Sequence, residues 1–178
     1  MTIEELETCV DTYGRELYAF CRYLTGSVPD GEDLYQETFL TAVSKLDKIN
    51  IRENPKSYLM SIAVHLWKNK KRKTAGRNRL ICFESVEQRA EEGEEAVDGQ
   101  NPLPEDVMIR TEEQELVRKC VETLAEMYRI PICLHYISQL STKEIAGILK
   151  VPEGTVRRRL FMGRKQIKKK LEEQGYDR

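Results

Sequence analysis

The chain has 178 residues, with 29 lysines and arginines against 30 aspartates and glutamates, and its formal net charge is −1. This length accommodates one or two domains, and a hydrophobic share of 40% is enough for a packed core. The sequence contains no apolar run near the roughly 18 residues of a membrane span, and its acidic N-terminus lacks the pattern of a signal peptide. We therefore expect a cytoplasmic protein that does not insert into a membrane.

The cysteines and histidines predict no metal site. A zinc or redox site needs closely spaced thiols or a cluster of cysteine and histidine, whereas the two histidines stand alone in the sequence. No two cysteines lie two to four positions apart, and we expect reduced thiols at Cys9, Cys21, Cys82, Cys120 and Cys133. The sequence also lacks a nucleotide-binding glycine loop, a catalytic triad and a carboxylate pair. We therefore expect neither a cofactor nor catalysis.

Three helices are predicted in the first 80 residues. Apolar residues recur every three or four positions from Leu6 to Leu24, which predicts an amphipathic helix that Gly26 and Pro29 end. Asp30 is the candidate N-cap of a second helix. The apolar stripe of that helix comprises Leu34, Thr38, Phe39, Ala42, Val43 and Leu46. After a polar break at residues 47–55, a third helix places on one side Leu59, Ile62, Ala63, Leu66 and Trp67.

Charge is distributed unevenly along the chain. Residues 65–79 carry seven basic side chains and no acidic one, and residues 157–170 carry eight basic side chains and no acidic one. Between them, residues 84–106 hold nine acidic residues and a single basic one. Clustered cations favour binding to a phosphate backbone, although each run alone is also compatible with a solvated face. The near-zero net charge therefore does not argue against a nucleic-acid partner.

The acidic stretch divides the chain. It contains glycine and proline and almost no large apolar residue, so it cannot bury enough surface to offset the entropy of ordering. We expect a flexible linker at residues 81–106, an N-terminal domain at residues 1–80 and a C-terminal domain at residues 107–178.

The C-terminal part also predicts helices. The first, around residues 112–123, has an apolar face of Leu116, Cys120, Val121 and Leu124, and the second extends to about Ser138. A proline inside a helix costs about 3 kcal/mol, so Pro131 predicts a kink or a helix start. Residues 141–144 form a capping box, and Pro152 suits the first turn of a last helix.

The last two predicted helices form a helix-turn-helix. Ile145, Leu149, Val151, Val156 and Leu160 form the expected core, and Ala146 and Gly147 are small enough for close approach of the second helix. In such motifs, the start of the second helix meets base edges in the major groove. The candidate DNA-binding residues are Glu153, Thr155, Arg157, Arg158, Arg159, Arg164 and Lys165. Since Arg157, Arg158 and Arg159 are consecutive, not all three can face DNA. The alternative is a three-helix packing unit with a solvated basic face.

These residues resemble a known family. The segments LSTKEIA (residues 140–146) and VPEGTVR (residues 151–157) resemble the region-four helix-turn-helix of bacterial extracytoplasmic-function (ECF) sigma factors. The segment DGEDLYQETFL (residues 30–40) is similar to region two of that family, and PKSYLMSIA (residues 55–63) to its promoter-melting helix. The resemblance covers roughly residues 6–75 and 120–173. It implies an all-α fold of a region-two-like bundle and a region-four-like domain.

The resemblance also implies partners and site residues. The region-two helix would bind the clamp helices of the RNA polymerase β′ subunit through Asp33, Gln36 and Glu37, and region four would meet the β flap. The melting helix would bind the minus-ten element through Tyr58, His65, Lys68, Asn69 and Arg72, with Trp67 as either a stacking surface or a core residue. Region four would bind the minus-thirty-five element of promoter DNA, and an anti-sigma factor would regulate the chain.

The sequence departs from the family pattern at several positions. His65 and Asn69 lie where the family often has other residues, which affects the expected base preference at the minus-ten element. Phe161 and Met162 replace part of a basic run in the last helix, and Ala125 replaces the usual proline that opens region four.

We therefore expect an ECF-type sigma factor that directs core RNA polymerase to promoters. The alternative is a stand-alone helix-turn-helix regulator whose N-terminal half is a sensing or dimerisation module. A nucleic-acid enzyme is a third hypothesis, which the missing acid/base site disfavours.

Overall fold

The computed structural model describes residues 2–46, 54–81 and 112–176, with the backbone alone for residues 76–81. The described residues form helices and no strand, which confirms the all-α prediction. The helices are α1 (Ile3–Thr25), α2 (Val28–Val43), α3 (Pro55–Ile81), α4 (Glu112–Glu122), α5 (Glu126–Tyr136), α6 (Thr142–Leu149) and α7 (Glu153–Glu173). None of the helices in these ranges is long and apolar enough to span a bilayer. Residues 82–106 of the predicted linker lie outside the described residues.

Helix α1 begins and ends with local signals. Thr2 and Glu5 form a capping box, in which the Thr2 N–H donates to the Glu5 carboxylate at 2.7 Å and the Glu5 N–H donates to Thr2 Oγ1 at 3.2 Å. Gly26 adopts a left-handed conformation with φ of 71° and accordingly ends the helix. The predicted end at Gly26 is confirmed.

The prediction that Asp30 caps the second helix is wrong. Ser27 is the N-cap of α2, because its backbone is extended and its Oγ accepts a hydrogen bond from the Asp30 N–H at 3.4 Å. Pro29 lies in the first turn of α2, where its missing N–H costs nothing, so it helps to begin α2 rather than to end α1. The Asp30 carboxylate instead accepts from Lys70 Nζ at 2.6 Å, which lowers the pKa of Asp30 and links α2 to α3.

The three N-terminal helices share a core. The largest buried side chains include Leu17, Phe20 and Leu24 of α1 and Leu59 and Met60 of α3. Of the predicted stripe on α2, the buried members are Leu34, Thr38 and Ala42, whereas Phe39 and Leu46 are partly buried. Val43 does not belong to this stripe, since it is 50% exposed.

Helix α5 corrects the expectation at Pro131. The helix begins at Glu126, so Pro131 is a buried interior residue and not a helix start. The neighbouring Arg129 is also buried, and its Nη1 donates to the Glu122 carbonyl oxygen at 2.9 Å. This hydrogen bond satisfies a carbonyl at the end of α4. The Arg129 side chain of α5 therefore caps the C-terminal end of α4.

The helix-turn-helix comprises α6 and α7. Ile145, Val156 and Leu160 are buried between them, and Lys150 ends α6 in a left-handed conformation with φ of 54°. Pro152 is the residue before α7 and not part of its first turn. The predicted role of Gly147 is wrong, because a Cβ there would meet nothing within 4 Å. Helix α7 instead comes close to α5, at Gly163, where a Cβ would lie 2.9 Å from Ile132 Cγ1.

The capping box of α6 provides a test of local stability. The Ser141 N–H and hydroxyl donate to the Glu144 carboxylate at 2.8 and 2.7 Å, and these hydrogen bonds lower the pKa of Glu144. We expect Ser141→Ala to reduce the free energy of unfolding by about 1 kcal/mol at pH 7.

This effect should depend on pH. The pKa of Glu144 is lower in the folded chain than in the unfolded chain, so its contribution is present above about pH 4.3 and is lost as the pH falls through the folded-state value. The difference between Ser141→Ala and the unmodified chain should therefore narrow in acid. Urea unfolding at several pH values measures it, and Ser44→Ala, at an exposed serine that caps no helix N-terminus, is the control. Equal stability of Ser141→Ala and the unmodified chain at pH 7 would contradict the prediction.

The N-terminal and C-terminal helices also contact each other. Helix α1 packs against α4 and α5, and α3 packs against α6. Buried residues of both halves form one continuous hydrophobic cluster. This packing was not predicted from the sequence, which indicated two separate units.

Candidate nucleic-acid interface

The exposed side of α7 presents most of the predicted DNA-binding residues. Val156, Leu160 and Gly163 are buried on the inner side of the helix. Residues two positions apart in a helix lie about 200° apart, so Arg158 lies opposite Val156. Of the predicted DNA-binding residues, Arg157, Arg158, Arg164 and Lys165 are exposed, whereas Arg159, Thr155 and Glu153 are partly buried. Of the three consecutive arginines, Arg157 and Arg158 are therefore more exposed than Arg159.

Glu153 links the two helices of the helix-turn-helix at the start of α7. Its Oε1 accepts hydrogen bonds from Thr142 Oγ1 at 2.6 Å and from Arg157 Nη2 at 2.8 Å. These two donors, Thr142 first, lower the pKa of Glu153, and the carboxylate is therefore ionised at neutral pH. Glu153 consequently orients Arg157 along the exposed side of the recognition helix.

The basic residues near the C-terminal end of α7 bind other residues of the chain. Lys168 and Lys169 form ion pairs with Glu172 and Glu173 at 3.6 and 3.7 Å, and Lys170 donates to Thr123. Arg164 Nη1 donates to Tyr136 Oη of α5 at 3.2 Å. Cations at both ends of α7 therefore have partners within the fold, since Arg157 is likewise paired with Glu153.

Phe161 lies on the same exposed side of α7 and is 58% exposed. It follows Arg157 and Arg158 by one helical turn and precedes Lys165 by another. This apolar ring within a basic surface is suited to contact with a thymine methyl group or with a sugar.

The predicted minus-ten residues share one side of α3. Tyr58, His65 and Arg72 repeat at intervals of seven, and Lys68 and Asn69 lie between them on the same side. His65, Lys68 and Arg72 are exposed, whereas Tyr58 and Asn69 are partly buried. Arg72 Nη2 donates to Asn69 Oδ1 at 3.0 Å. The structure therefore brings these five side chains together on one helix surface.

Trp67 lies on the other side of α3 and is a core residue. It is 5% exposed, and its Nε1 donates to Glu126 Oε1 at 2.8 Å. Lys71 Nζ lies 5.0 Å from the centre of the indole ring. Of the two roles considered for Trp67, the structure supports packing rather than stacking on an external base.

Helix α2 presents a third surface. Asp33, Gln36 and Glu37 are exposed on the side opposite Leu34 and Ala42. Leu40, which is 71% exposed, and Val43 continue this surface towards the end of α2. Sequence reasoning missed both residues as surface candidates, although their spacing of seven from Asp33 and Gln36 was a signal that could have identified them. An exposed apolar patch bordered by carboxylates is typical of a protein interface.

The C-terminal half also contains an apolar groove of about 450 Å³. Side chains of α4, α5 and α7 line it, with Tyr23 of α1 at one side. Its apolar lining includes Val121, Ile132, Ile137, Ile167 and Leu171, and Arg164 and Lys168 also contribute to its wall. The groove fits an apolar segment of a partner better than a polar ligand.

The cysteines do not form a reactive site in the part of the chain that the structure covers. Cys9, Cys21, Cys120 and Cys133 are buried and form no disulfide with one another. Burial raises the pKa of Cys21 and of Cys133 to about 12, so both thiols are protonated at neutral pH. Cys82 lies outside the described residues.

Both halves of the chain match models of known protein families. Residues 9–77 match the family model of sigma-70 region 2, and residues 114–167 match that of sigma-70 region 4. The chain is 31% identical over 172 residues to the ECF RNA polymerase sigma factor SigW of Bacillus subtilis, covering 91% of this chain and 86% of that relative. It is 32% identical over 148 residues to the ECF RNA polymerase sigma-E factor of Escherichia coli, covering 82% of this chain and 76% of the relative.

A solved structure shares the fold. The sigma factor RpoE in complex with the anti-sigma factor NepR, from Bartonella quintana, superposes with a TM-score of 0.74 at 22% identity. The match covers 99% of this chain and 100% of the solved chain.

Proposed function

The chain belongs to the ECF sigma factors of RNA polymerase, and on that premise we propose that it binds core RNA polymerase and directs promoter-specific initiation of transcription. The observation that carries this proposal is the presence of two helix surfaces with exposed basic residues, one on α3 and one on α7, in the order of regions two and four. The alternative of a stand-alone regulator is not retained, because residues 9–77 match region 2 and are not an unrelated sensing module.

We propose that the chain has two functional units, separated by the acidic linker that the sequence predicts. The region-two unit comprises residues 1–80, the acidic linker residues 81–106 and the region-four unit residues 107–178. The family matches, which end at residue 77 and resume at residue 114, support this division.

The recognition helix α7 binds the minus-thirty-five element in this proposal. Arg157 and Arg158 are exposed at its start, and Glu153 orients Arg157. Arginine donates two parallel hydrogen bonds to guanine in the major groove, whereas Thr155, Arg164 and Lys165 suit phosphates or base edges. Arg159 is partly buried and is therefore less accessible to DNA than Arg157 and Arg158.

Helix α3 binds the minus-ten element. Its exposed side combines a tyrosine ring and a histidine ring with the cations Lys68 and Arg72. Aromatic surfaces beside cations are the chemistry that single-stranded DNA requires. Asn69, held by Arg72, supplies amide hydrogen-bonding groups for a base edge.

Core polymerase binds at two surfaces. The exposed surface of α2, formed by Asp33, Gln36, Glu37 and Leu40, contacts the β′ clamp helices. The apolar groove between α4, α5 and α7 receives an apolar segment of the β flap. The chain itself supplies no catalysis and works in the cytoplasm. An anti-sigma factor controls it, and the solved structure of a similar sigma factor bound to an anti-sigma factor supports this control.

Reconstituted transcription tests the function. Purified chain is added to core polymerase on fragmented genomic DNA of its source, and transcripts are mapped by their 5′ ends. We expect start sites that share two upstream elements and that disappear when the chain is omitted. Binding of the chain to duplex DNA without any stimulation of transcription would contradict the proposed function.

Arg157→Ala tests the contact at the start of α7. We expect weaker promoter binding by the holoenzyme and, if Arg157 meets only phosphate, a salt slope smaller by about one unit. The measurement is affinity at several salt concentrations by fluorescence anisotropy. Lys119→Ala, at an exposed lysine of α4, is the control. Unchanged affinity and slope would remove Arg157 from the interface.

A further inference from the structure

The C-terminal end of α7 forms a Schellman motif. Gly175 adopts a left-handed conformation with φ of 85°, and its N–H donates to the Glu172 carbonyl oxygen at 3.0 Å. The Tyr176 N–H donates to the Leu171 carbonyl oxygen at 3.0 Å. In this motif, the residue after the glycine commonly packs against the residue whose carbonyl it meets. The chain therefore turns back after α7, and Tyr176 lies beside Leu171.

This turn brings Tyr176 to the apolar groove between α4, α5 and α7. Tyr176 and Leu171 both line the groove, together with Val117 of α4 and Tyr136 of α5. Tyr176 and Val117 are each 41% exposed, and Tyr136 is 52% exposed. Large apolar side chains that are half-exposed around a concave surface are typical of a protein interface. Tyr176 is therefore placed to contact a protein segment that enters the groove.

Tyr176 also borders a second concave surface, a cleft of about 530 Å³ beside α4. Among the described residues, Tyr176 is the one that contributes to the walls of both the groove and the cleft. Its side chain accordingly forms the ridge that separates them. The other residues that line the cleft are Glu112, Glu115, Leu116, Lys119 and Gln174.

The groove and the cleft differ in chemistry. The groove is lined mainly by apolar side chains, whereas the cleft is lined by charged and polar side chains apart from Leu116 and Tyr176. An apolar segment gains free energy by burial in the groove. In the cleft, the same segment would take charged groups out of water, which costs free energy. We therefore expect a segment bound in the groove to end at Tyr176.

We propose that Tyr176 is the end wall of the polymerase-binding groove, where its ring packs against the last apolar side chain of the bound segment and sets the register of that segment. The inference rests on the proposed function, in which an apolar segment of the β flap occupies this groove. Gly175 is a positioning residue, because the left-handed turn at Gly175 directs Tyr176 to the groove.

Tyr176→Ala tests the end wall. We expect about tenfold weaker affinity of the full chain for core polymerase, since truncation of an interface tyrosine commonly has an effect of this size. Tyr176→Phe keeps the ring and should bind normally. Ile3→Ala, which truncates a 62% exposed apolar side chain at the far end of α1, is the control and should also bind normally. Fluorescence anisotropy of the labelled chain measures the affinity, and equal affinity of Tyr176→Ala and the unmodified chain would overturn the proposal.

Core polymerase without the tip of the β flap shows where Tyr176 acts. If the ring contacts the flap segment, Tyr176→Ala and the unmodified chain should bind this shortened polymerase with equal affinity, because the partner of the ring is absent. A tenfold loss with both forms of core polymerase would overturn the proposal, since Tyr176 would then act on another surface.

Gly175→Ala tests the positioning. A Cβ at Gly175 would meet nothing within 4 Å, so the substitution acts through the left-handed backbone, which alanine disfavours. We expect the Tyr176 amide of the free chain to exchange with D₂O about fivefold faster, as its hydrogen bond to Leu171 opens more often. We also expect a loss of affinity for core polymerase that is smaller than for Tyr176→Ala. Gly175→Asn should restore slower exchange, because asparagine adopts this conformation more readily.

Gly147→Ala is the matched control for this substitution. A Cβ at Gly147 would also meet nothing within 4 Å, but Gly147 lies inside α6 and has no positive φ. It should leave both the exchange of the Tyr176 amide and the affinity unchanged. Equal exchange rates in Gly175→Ala and Gly147→Ala would contradict the positioning role of Gly175.

Failure of this inference is distinguishable from failure of the proposed function. If the unmodified chain neither binds core polymerase nor directs initiation, the proposed function fails, and this inference fails with it. If the unmodified chain does both and Tyr176→Ala does both equally well, only this inference fails.

Discussion

The double substitution Asp33→Lys, Glu37→Lys is expected to prevent assembly with core polymerase. Both carboxylates are exposed one turn apart on α2, beside the exposed Leu40, and neither contributes to the core. Reversal of charge at the centre of a protein interface costs about 2 kcal/mol per residue, or about 4 kcal/mol for the pair, so the affinity should fall roughly 1,000-fold. Titration of labelled chain with core polymerase, followed by fluorescence anisotropy, measures the loss.

A matched double variant separates this effect from net charge. Glu7 and Asp11 are exposed on α1 with the same spacing of four residues, and their replacement by lysine changes the net charge equally. We expect this control to bind core polymerase normally, and both variants to unfold at the temperature of the unmodified chain. Normal assembly by the α2 variant would show that this surface is not the polymerase contact.

Arg158→Ala is expected to have the largest effect on recognition of the minus-thirty-five element. Arg158 lies opposite the buried Val156 and is exposed at the start of α7. Loss of a bidentate contact to guanine costs about 1–3 kcal/mol, or roughly five- to 150-fold in affinity. Transcription from a mapped promoter should fall by this factor, and variation of single base pairs in the element should identify the position at which preference is lost.

Lys169→Ala is the appropriate control for this prediction. Lys169 is also exposed on α7, but it forms an ion pair with Glu173 near the end of the helix. We expect its loss to leave transcription nearly unchanged, since Lys169 is far from the start of α7 and an exposed ion pair contributes only about 0–1 kcal/mol to stability. An equal effect of both substitutions would indicate that α7 binds through its general charge and does not read bases through Arg158.

Local sequence signals predicted most of the secondary structure. The apolar period identified the helices, and the glycine at position 26 and the capping box at Ser141 placed helix ends correctly. These features depend on residues within one turn of each other, where hydrogen bonds to the backbone are determined by the local sequence. The same local logic failed at Asp30, because Ser27 competed for the same capping role and the chain used the earlier residue.

Contacts over long sequence separations were not predictable in this way. Gly147 and Gly163 are both glycines in helices, but only the tertiary packing decides that Gly163 lies against Ile132 while Gly147 faces open space. Likewise, an apolar stripe on α3 indicated that Trp67 could be buried, and not that its indole N–H would meet Glu126. No periodic pattern encodes which buried surfaces of two helices face each other.

The sequence by itself determined an all-α protein with a capped helix-turn-helix, two basic segments and the motifs of regions two and four. Only the tertiary structure decided which arginines of α7 face outward, which exposed residues extend the surface of α2, and that the two halves close on each other. The physical reason is range: caps and periodicity act within about four residues, whereas burial of Met60, Trp67 and Ser138 depends on helices far apart in the chain.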